Sequence, residues 1–160
     1  MVGITLICVG KLKEQYLRDA CAEYAKRLSG ICKLNICELA PCKLPDSPST
    51  AQIQAALIQE GGRISEKIPK GSYVITLCIE GKLMSSEQLA AQIEKKAADI
   101  SSTFTFIIGG SYGICDEIKS RSDLRLSMSP MTFPHQLARV MVLEQLYRVF
   151  QIQLGTKYHK

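Results

Sequence analysis

Short apolar runs alternate along this chain with segments in which apolar residues recur at helical spacing. The runs are about as long as ordinary strands. Alternation of this kind is typical of a parallel sheet whose strands are joined by crossover helices. The sequence therefore predicts the α/β class, with a mostly parallel five-stranded sheet and flanking helices. The predicted strands are residues 4–9, 34–39, 73–79, 104–108 and 124–128.

Apolar stripes and capping residues predict the helices between these strands. The stripes fall within residues 17–28, 53–68 and 89–100, and a last helix is predicted to begin near Pro134. Two helix starts carry a serine followed three residues later by a glutamine, which is the capping-box spacing. In that arrangement the hydroxyl and the amide each satisfy a backbone N–H of the first turn. The two pairs are Ser49 with Gln52 and Ser85 with Gln88.

The last predicted helix differs from the others because apolar residues surround nearly its whole circumference. Only Arg139, Glu144, Gln145 and Arg148 interrupt the apolar surface. Such a helix must be covered on more than one side. In a chain of 160 residues the simplest second cover is another subunit, so we expect a homodimer that uses this helix. Central burial of the helix within one subunit is the alternative.

Length and composition limit the remaining choices. A chain of 160 residues can bury one substantial core, so we expect one domain over residues 1–160. Hydrophobic residues make up 46% and charged residues 22%, which argues against both disorder and a membrane span. The first residues lack the regions of a secretion signal, which favours a cytoplasmic protein. Seven cysteines without a CxxC pair or a nearby histidine predict buried thiols and no metal site.

Three loops are predicted to follow the carboxyl ends of strands, where parallel sheets leave a crevice for ligands. They cover residues 77–82, 109–113 and 127–133, and the middle loop contains three glycines that let the backbone approach a ligand. Neither the dinucleotide fingerprint nor the P-loop motif is present. Ser111 lacks a nucleophile elbow, and acids such as Glu80 and Asp116 are expected to be isolated and solvated. The pattern indicates a small-ligand site whose chemistry depends on positioning.

The only two histidines of the chain lie near its C-terminal end. His135 follows Pro134 at the start of the last helix, where exposed N–H groups disfavour imidazolium and favour a neutral ring. The terminal Tyr158, His159 and Lys160 combine an aromatic ring, an imidazole and a cation, which can stack on a base and meet a phosphate. A frayed terminus is the alternative for these three residues, and packing under a loop is the alternative for His135.

The chain carries ITLICVGKLK at residues 4–13, IGGSYG at 108–113 and MTFPHQ at 131–136, and it ends in YHK. Together these segments resemble the bacterial large-subunit rRNA (pseudouridine-N3) methyltransferases of the SPOUT class, over the whole length. The resemblance implies an α/β domain with a C-terminal trefoil knot, an exception to the rule that chains do not thread. It also implies a homodimer that binds S-adenosylmethionine. The implied cofactor residues are Leu77, Gly109, Met128, Ser129, Pro130, Met131, Thr132 and Phe133.

The reaction implied by this resemblance is methylation of N3 of a pseudouridine in 23S rRNA, on the assembled ribosome. S-adenosylmethionine carries an activated methyl group, so the enzyme must align the displacement and help N3 lose its proton. We expect His135, Tyr158, His159 and Lys160 to be the catalytic residues. Tyr158 would orient the target base, His159 would assist with the proton, and Lys160 would fix the tail or meet phosphate.

A chain without a separate RNA-binding module must bind its RNA substrate with the surface of its one domain. A net charge of +5 is compatible with binding a polyanion. The basic candidates are Arg18, Lys26, Arg27 and Arg139. Two other functions remain open: a tRNA methyltransferase of the same knotted class, and a flavodoxin-like nucleotide-binding module without transferase activity. A structural dimer that has lost catalysis is disfavoured by the intact terminal Tyr-His-Lys.

Overall fold

The computed structural model describes residues 1–160 and contains one sheet of five parallel strands. The strands are β1 (Gly3–Val9), β2 (Lys33–Leu39), β3 (Tyr73–Leu83), β4 (Thr103–Ile108) and β5 (Leu124–Ser127). The helices are α1 (Gln15–Leu28), α2 (Thr50–Lys67), α3 (Ser86–Asp99), α4 (Asp116–Arg121) and α5 (His135–Gln153). The strand order is β2-β1-β4-β3-β5, and every pair is parallel. The predicted sheet is confirmed.

Helices cover both faces of this sheet. The larger apolar cluster joins α1, α3 and α5 to one face, and the smaller cluster joins α2 and α4 to the other. Neighbouring residues of the central strands alternate between the two clusters, with Leu6 and Phe106 in the larger and Ile7 and Ile107 in the smaller. Because β1 and β4 are buried on both faces, they appear in the sequence as mainly apolar runs in which the only polar residues are threonines.

The two predicted capping boxes are confirmed. The Ser49 hydroxyl accepts the Gln52 backbone N–H at 3.1 Å, and the Gln52 side chain accepts the Ser49 N–H at 2.8 Å. At the start of α3 the same pair of contacts joins Ser85 and Gln88 at 3.2 and 2.8 Å. Each cap stabilises its helix by about 1 kcal/mol.

Helix α5 packs against both α1 and α3, so much of its apolar surface is covered within one chain. Arg139, which we named as a polar interruption of that surface and as one candidate RNA contact, is only 3% exposed. One guanidinium nitrogen donates to Glu38 at 2.6 Å and another donates to the carbonyl oxygen of Gly10 at 2.9 Å. Arg139 is therefore wrong as a candidate for RNA contact and does not lie on a solvated face, because the cation is enclosed between α5 and the ends of β1 and β2.

Strand β3 continues past the predicted end and contains a bulge. Leu77 and Lys82 both pair with Leu126, so residues 78–81 bulge out between them. At Gly81 a Cβ would lie 2.8 Å from the carbonyl oxygen of Arg125, so only glycine allows the bulge to return to β5. The first predicted loop is therefore an irregular part of a strand. The six-residue α4 was not predicted at all, and no helix has both the length and the apolar character to cross a membrane.

Candidate active site

A cavity of about 780 Å³ opens at the carboxyl ends of β3, β4 and β5. Its walls are the bulge of β3, the loop after β4 and the segment after β5. The three regions that we expected to converge therefore do so. Pro130 lies within the last region but does not line the cavity. The predicted cofactor residues that do line it are Leu77, Gly109, Met128, Ser129, Met131, Thr132 and Phe133.

The glycine turn after β4 brings backbone close to the cavity. The carbonyl oxygen of Gly110 accepts the N–H of Gly113 at 3.1 Å, and Gly113 has a φ of 88°, in the left-handed region. A Cβ on Gly109 would collide with the carbonyl oxygen of Gly113. The turn can therefore close this tightly only with glycine at position 109, and this wall offers main-chain groups to a ligand.

Residues 128–134 cross the carboxyl edge of the sheet. They leave β5 at one edge and reach α5 beside β1, where the backbone N–H of Lys13 donates to Gln136 at 3.0 Å. Within the segment the Ser127 hydroxyl donates to the carbonyl oxygen of Ser129 at 3.1 Å, and the Ser129 hydroxyl accepts the Met131 N–H at 3.0 Å. These bonds fix the path of the segment, so it forms a defined outer wall of the cavity.

His135 is the first residue of α5 and lines the same cavity. Burial lowers the pKa of its imidazole, and the nearby cations Arg139 and Lys13 lower it further. The neutral ring that we predicted is therefore favoured. Its cause is burial and two neighbouring cations, whereas we had expected the helix N-terminus to be responsible. A neutral imidazole offers the cavity one hydrogen-bond donor and one acceptor.

An ion pair at the margin of the cavity was missed. Lys119 of α4 donates to Glu80 of the β3 bulge at 2.6 Å, and both residues line the cavity. This hydrogen bond lowers the pKa of Glu80 and raises the pKa of Lys119, so both groups remain charged. The expectation that Glu80 is isolated is therefore wrong. The two residues are 39 positions apart, and neither α4 nor the bulge has a periodic pattern that would reveal the contact.

A second, smaller cavity of about 270 Å³ adjoins the first. It shares Leu77, Leu126 and Met128 with the larger cavity and is closed on the other side by α5 and the start of α3. The Ser86 hydroxyl donates to Gln145 at 2.6 Å across this side. Nothing in our sequence analysis predicted this space, which depends on how the two helices meet.

The C-terminal tail folds back onto α5 and is not frayed. The Tyr158 hydroxyl donates to Glu144 at 3.1 Å, and its ring meets Tyr147 edge-on with 4.8 Å between ring centroids. Burial raises the pKa of Tyr158, and the bond to Glu144 raises it further, so the phenol stays protonated. His159 lies with one ring nitrogen 2.6 Å from Glu87, and Lys160 is exposed at the end.

The tail and His135 are not brought together within one chain. Glu144, which binds Tyr158, lies nine residues beyond His135 on α5, or about 14 Å along the helix axis at about 1.5 Å per residue. None of Tyr158, His159 and Lys160 lines the larger cavity. The expected catalytic residues therefore form two groups, one at the cavity and one farther along α5.

A model of the family described as predicted SPOUT methyltransferase matches residues 2–159. The chain belongs to this family. Ribosomal RNA large subunit methyltransferase H of Clostridium acetobutylicum is 48% identical over 159 residues, which is 99% of this chain and 100% of that protein. The protein of the same name from Bifidobacterium adolescentis is 51% identical over 157 residues, covering 98% of this chain and 99% of its own.

This SPOUT methyltransferase also resembles a solved structure. A probable methylase family protein from Haemophilus influenzae Rd KW20 superposes with a TM-score of 0.55 and 16% identity, over 98% of this chain and 70% of that chain. At that identity the likeness supports the fold alone. Family membership confirms the resemblance stated from the sequence, implies the C-terminal knot and makes the chain a methyltransferase.

Proposed function

We propose that this methyltransferase transfers a methyl group from S-adenosylmethionine to N3 of a pseudouridine in 23S rRNA, on the assembled ribosome in the cytoplasm. The observation that carries the proposal is the cavity of about 780 Å³ at the ends of three parallel strands in a SPOUT methyltransferase. Its relatives named as ribosomal RNA large subunit methyltransferases match nearly all of this chain, which supports rRNA as the substrate.

The cavity fits S-adenosylmethionine in size and lining. Its volume of about 780 Å³ falls within the range of about 300–1,000 Å³ for pockets that hold ligands of this size. Leu77 and Leu126 provide apolar surface for an adenine ring, and the turn at Gly109 provides main-chain groups that could bond its edge. At the margin, Lys119 and Glu80 provide charges of both signs, which match an amino-acid zwitterion.

S-adenosylmethionine, when bound, supplies a methyl group activated by its sulfonium. We assign binding of this donor to Leu77, Gly109 and residues 128–133, all of which except Pro130 line the cavity. The crossing segment would close one side of the site and limit the access of water, because its hydrogen bonds fix it at Ser127 and Ser129. The main task of these residues is to hold the donor and the acceptor nitrogen in line.

The acceptor nitrogen must lose a proton as it gains the methyl group. We assign to His159 the role of accepting that proton. Tyr158 would orient the base, and Lys160 would contact phosphate or fix the tail. His135 would hydrogen-bond to the reacting base or donor as a neutral ring, because it lines the cavity and its pKa is lowered by burial and by Arg139 and Lys13.

We propose a homodimer in which the tail of one subunit acts at the cavity of the other. The supporting observation is that a single chain holds its tail away from its own cavity. Tyr16, Leu137 and Leu154 are 69%, 39% and 65% exposed on or beside α1 and α5, and a twofold contact could cover them. RNA contacts would come from the exposed cations Arg18, Lys26 and Arg27 of α1.

The test combines purified protein, methyl-labelled S-adenosylmethionine and ribosomes that lack the modification. We expect the label in N3-methylpseudouridine from 23S rRNA, identified by mass spectrometry of the digested RNA. Label confined to tRNA would instead support the related tRNA enzyme. Thermal protection by flavin or nucleoside phosphate, without protection by S-adenosylhomocysteine, would support a nucleotide-binding module.

The division of labour between cavity and tail has its own test. Replacing His159 with alanine should lower methyl transfer while leaving S-adenosylhomocysteine affinity nearly unchanged, because we assign the hold on the donor to residues of the cavity wall and the proton to the tail. Equal losses of transfer and affinity would refute this assignment.

A further inference from the structure

His159 lies between a carboxylate and a guanidinium of its own chain. Its Nε2 is 2.6 Å from Oε1 of Glu87, and its Nδ1 is 3.3 Å from a terminal nitrogen of Arg148. A guanidinium can only donate hydrogen bonds, so Nδ1 must accept and the ring proton must lie on Nε2. The Glu87 contact therefore requires a proton on Nε2, and the Arg148 contact requires a lone pair on Nδ1; together they fit the Nε2–H tautomer of His159.

The two contacts differ in strength. The bond to Glu87 is short and charge-assisted, whereas 3.3 Å lies beyond the usual range of about 2.7–3.2 Å for such bonds. The hydrogen bond from His159 is the largest of several contacts, including Ser85 and the backbone of Glu87 itself, that lower the pKa of Glu87 to about 2, so the carboxylate is ionised at neutral pH. The Glu87 contact is therefore the stronger anchor of the imidazole.

Arg148 has other partners that hold it without His159. Two of its nitrogens donate to one carboxylate oxygen of Glu144 at 3.0 and 2.6 Å, and its guanidinium stacks over the Tyr158 ring at 4.9 Å. An incoming N–H group can therefore take the place of Arg148 at Nδ1 while Arg148 keeps its stronger bonds. In the resting tail, Arg148 occupies the lone pair that a substrate proton would use.

We propose that Glu87 is a positioning residue that fixes His159 as the Nε2–H tautomer, so that Nδ1 is the nitrogen that takes the proton of the methylated base. This inference rests on the proposed function of His159. In the step, the N3–H bond would break and its electron pair would form the new N–CH₃ bond. The S–CH₃ bond of the donor would break at the same time and leave its electron pair on the sulfur as a neutral thioether, and the proton would end on Nδ1. The Glu87 charge stabilises the imidazolium that results, as an acidic partner does for a catalytic histidine in hydrolases.

Nitrogen NMR of histidine-labelled protein tests the tautomer without any turnover. The chain has 2 histidines, so the spectrum contains two ring systems, and the His159→Ala variant assigns them. We expect wild-type His159 to show a protonated Nε2 and an unprotonated Nδ1. Glu87→Gln should keep this pattern because the amide oxygen still accepts. Glu87→Ala should lose the Nε2 proton signal to water exchange and show a mixture of tautomers.

Kinetics test the positioning role. Glu87→Ala should lower kcat for methyl transfer by about tenfold with the KM for the donor unchanged, less than the loss of about a hundredfold expected on removing a general base. The kcat of Glu87→Gln should fall between those of the wild type and Glu87→Ala, because this change removes the charge and keeps a hydrogen-bond acceptor. The matched control is Glu94→Gln, which removes the same charge from an exposed position on the same helix and should leave kcat unchanged.

Two results would overturn the inference. One is a wild-type spectrum in which His159 carries its proton on Nδ1 or populates both tautomers. The other is a Glu87→Ala enzyme with wild-type kcat. A wild-type protein that shows the expected tautomer but transfers no methyl group to rRNA would contradict the proposed function and leave the positioning contact standing.

Discussion

Replacing Gly109 with alanine tests whether close backbone approach at the end of β4 builds the cavity. The new Cβ would collide with the carbonyl oxygen of Gly113 and would lie 2.6 Å from its carbonyl carbon and 2.8 Å from Cγ1 of Ile114. Two of these atoms are backbone, so the turn itself must move. Overpacking of this kind costs about 1–3 kcal/mol. In a chain of this length 1 kcal/mol lowers Tm by about 2–4 °C, so we expect a decrease of about 2–12 °C.

Thermal unfolding and titration with S-adenosylhomocysteine measure the two consequences. We expect the Gly109→Ala variant to bind at least about tenfold more weakly, a loss of about 1.4 kcal/mol, because the displaced turn lines the cavity. The control is Gly62→Ala, at an exposed helical position with no atom within 4 Å of the new Cβ. That change should raise stability by about 0.5–1 kcal/mol and leave binding unchanged. Wild-type affinity in Gly109→Ala would refute the placement of the ligand.

Three further changes test packing, capping and pH dependence. Arg139→Leu should lower the free energy of unfolding by about 2–4 kcal/mol in urea, because Glu38 and the Gly10 carbonyl lose their partner; a loss below about 0.5 kcal/mol would contradict this. Ser85→Ala should cost about 1 kcal/mol by removing the cap of α3, and an unchanged urea midpoint would contradict it. The folded-state pKa of His135 is lowered, so as the pH falls below the ordinary imidazole value of 6.5 the unfolded chain binds more protons than the folded chain and the free energy of unfolding should decrease. His135→Gln should make that decrease smaller, and a pH profile identical to that of the wild type would refute the argument.

The strands and the longer helices were predictable because their signals are local. Buried strands such as β1 and β4 consist mainly of apolar residues, and the capping boxes at Ser49 and Ser85 depend on residues only three positions away. Helix α4 has six residues, which is too short for a periodic pattern, and the bulge in β3 follows from pairing with β5 that no local pattern encodes.

The candidate site was predictable in its main-chain walls and not in its charges. Gly109 and the segment 128–133 follow strand ends, so parallel topology alone places them at one edge. The pair of Glu80 with Lys119 depends on where α4 lies, and the burial of Arg139 depends on β1 and β2 meeting α5. These contacts join residues that are far apart in the sequence, so local sequence patterns could not reveal them.

Backbone NMR during titration with S-adenosylhomocysteine tests the central claim most directly. If the larger cavity binds the methyl donor, saturable shift changes should concentrate at residues 77–80, 109–113 and 128–135, which surround it. Changes confined to the smaller cavity, at Met84, Leu89 and Met141, would contradict the claim, as would a protein that shows no saturable change.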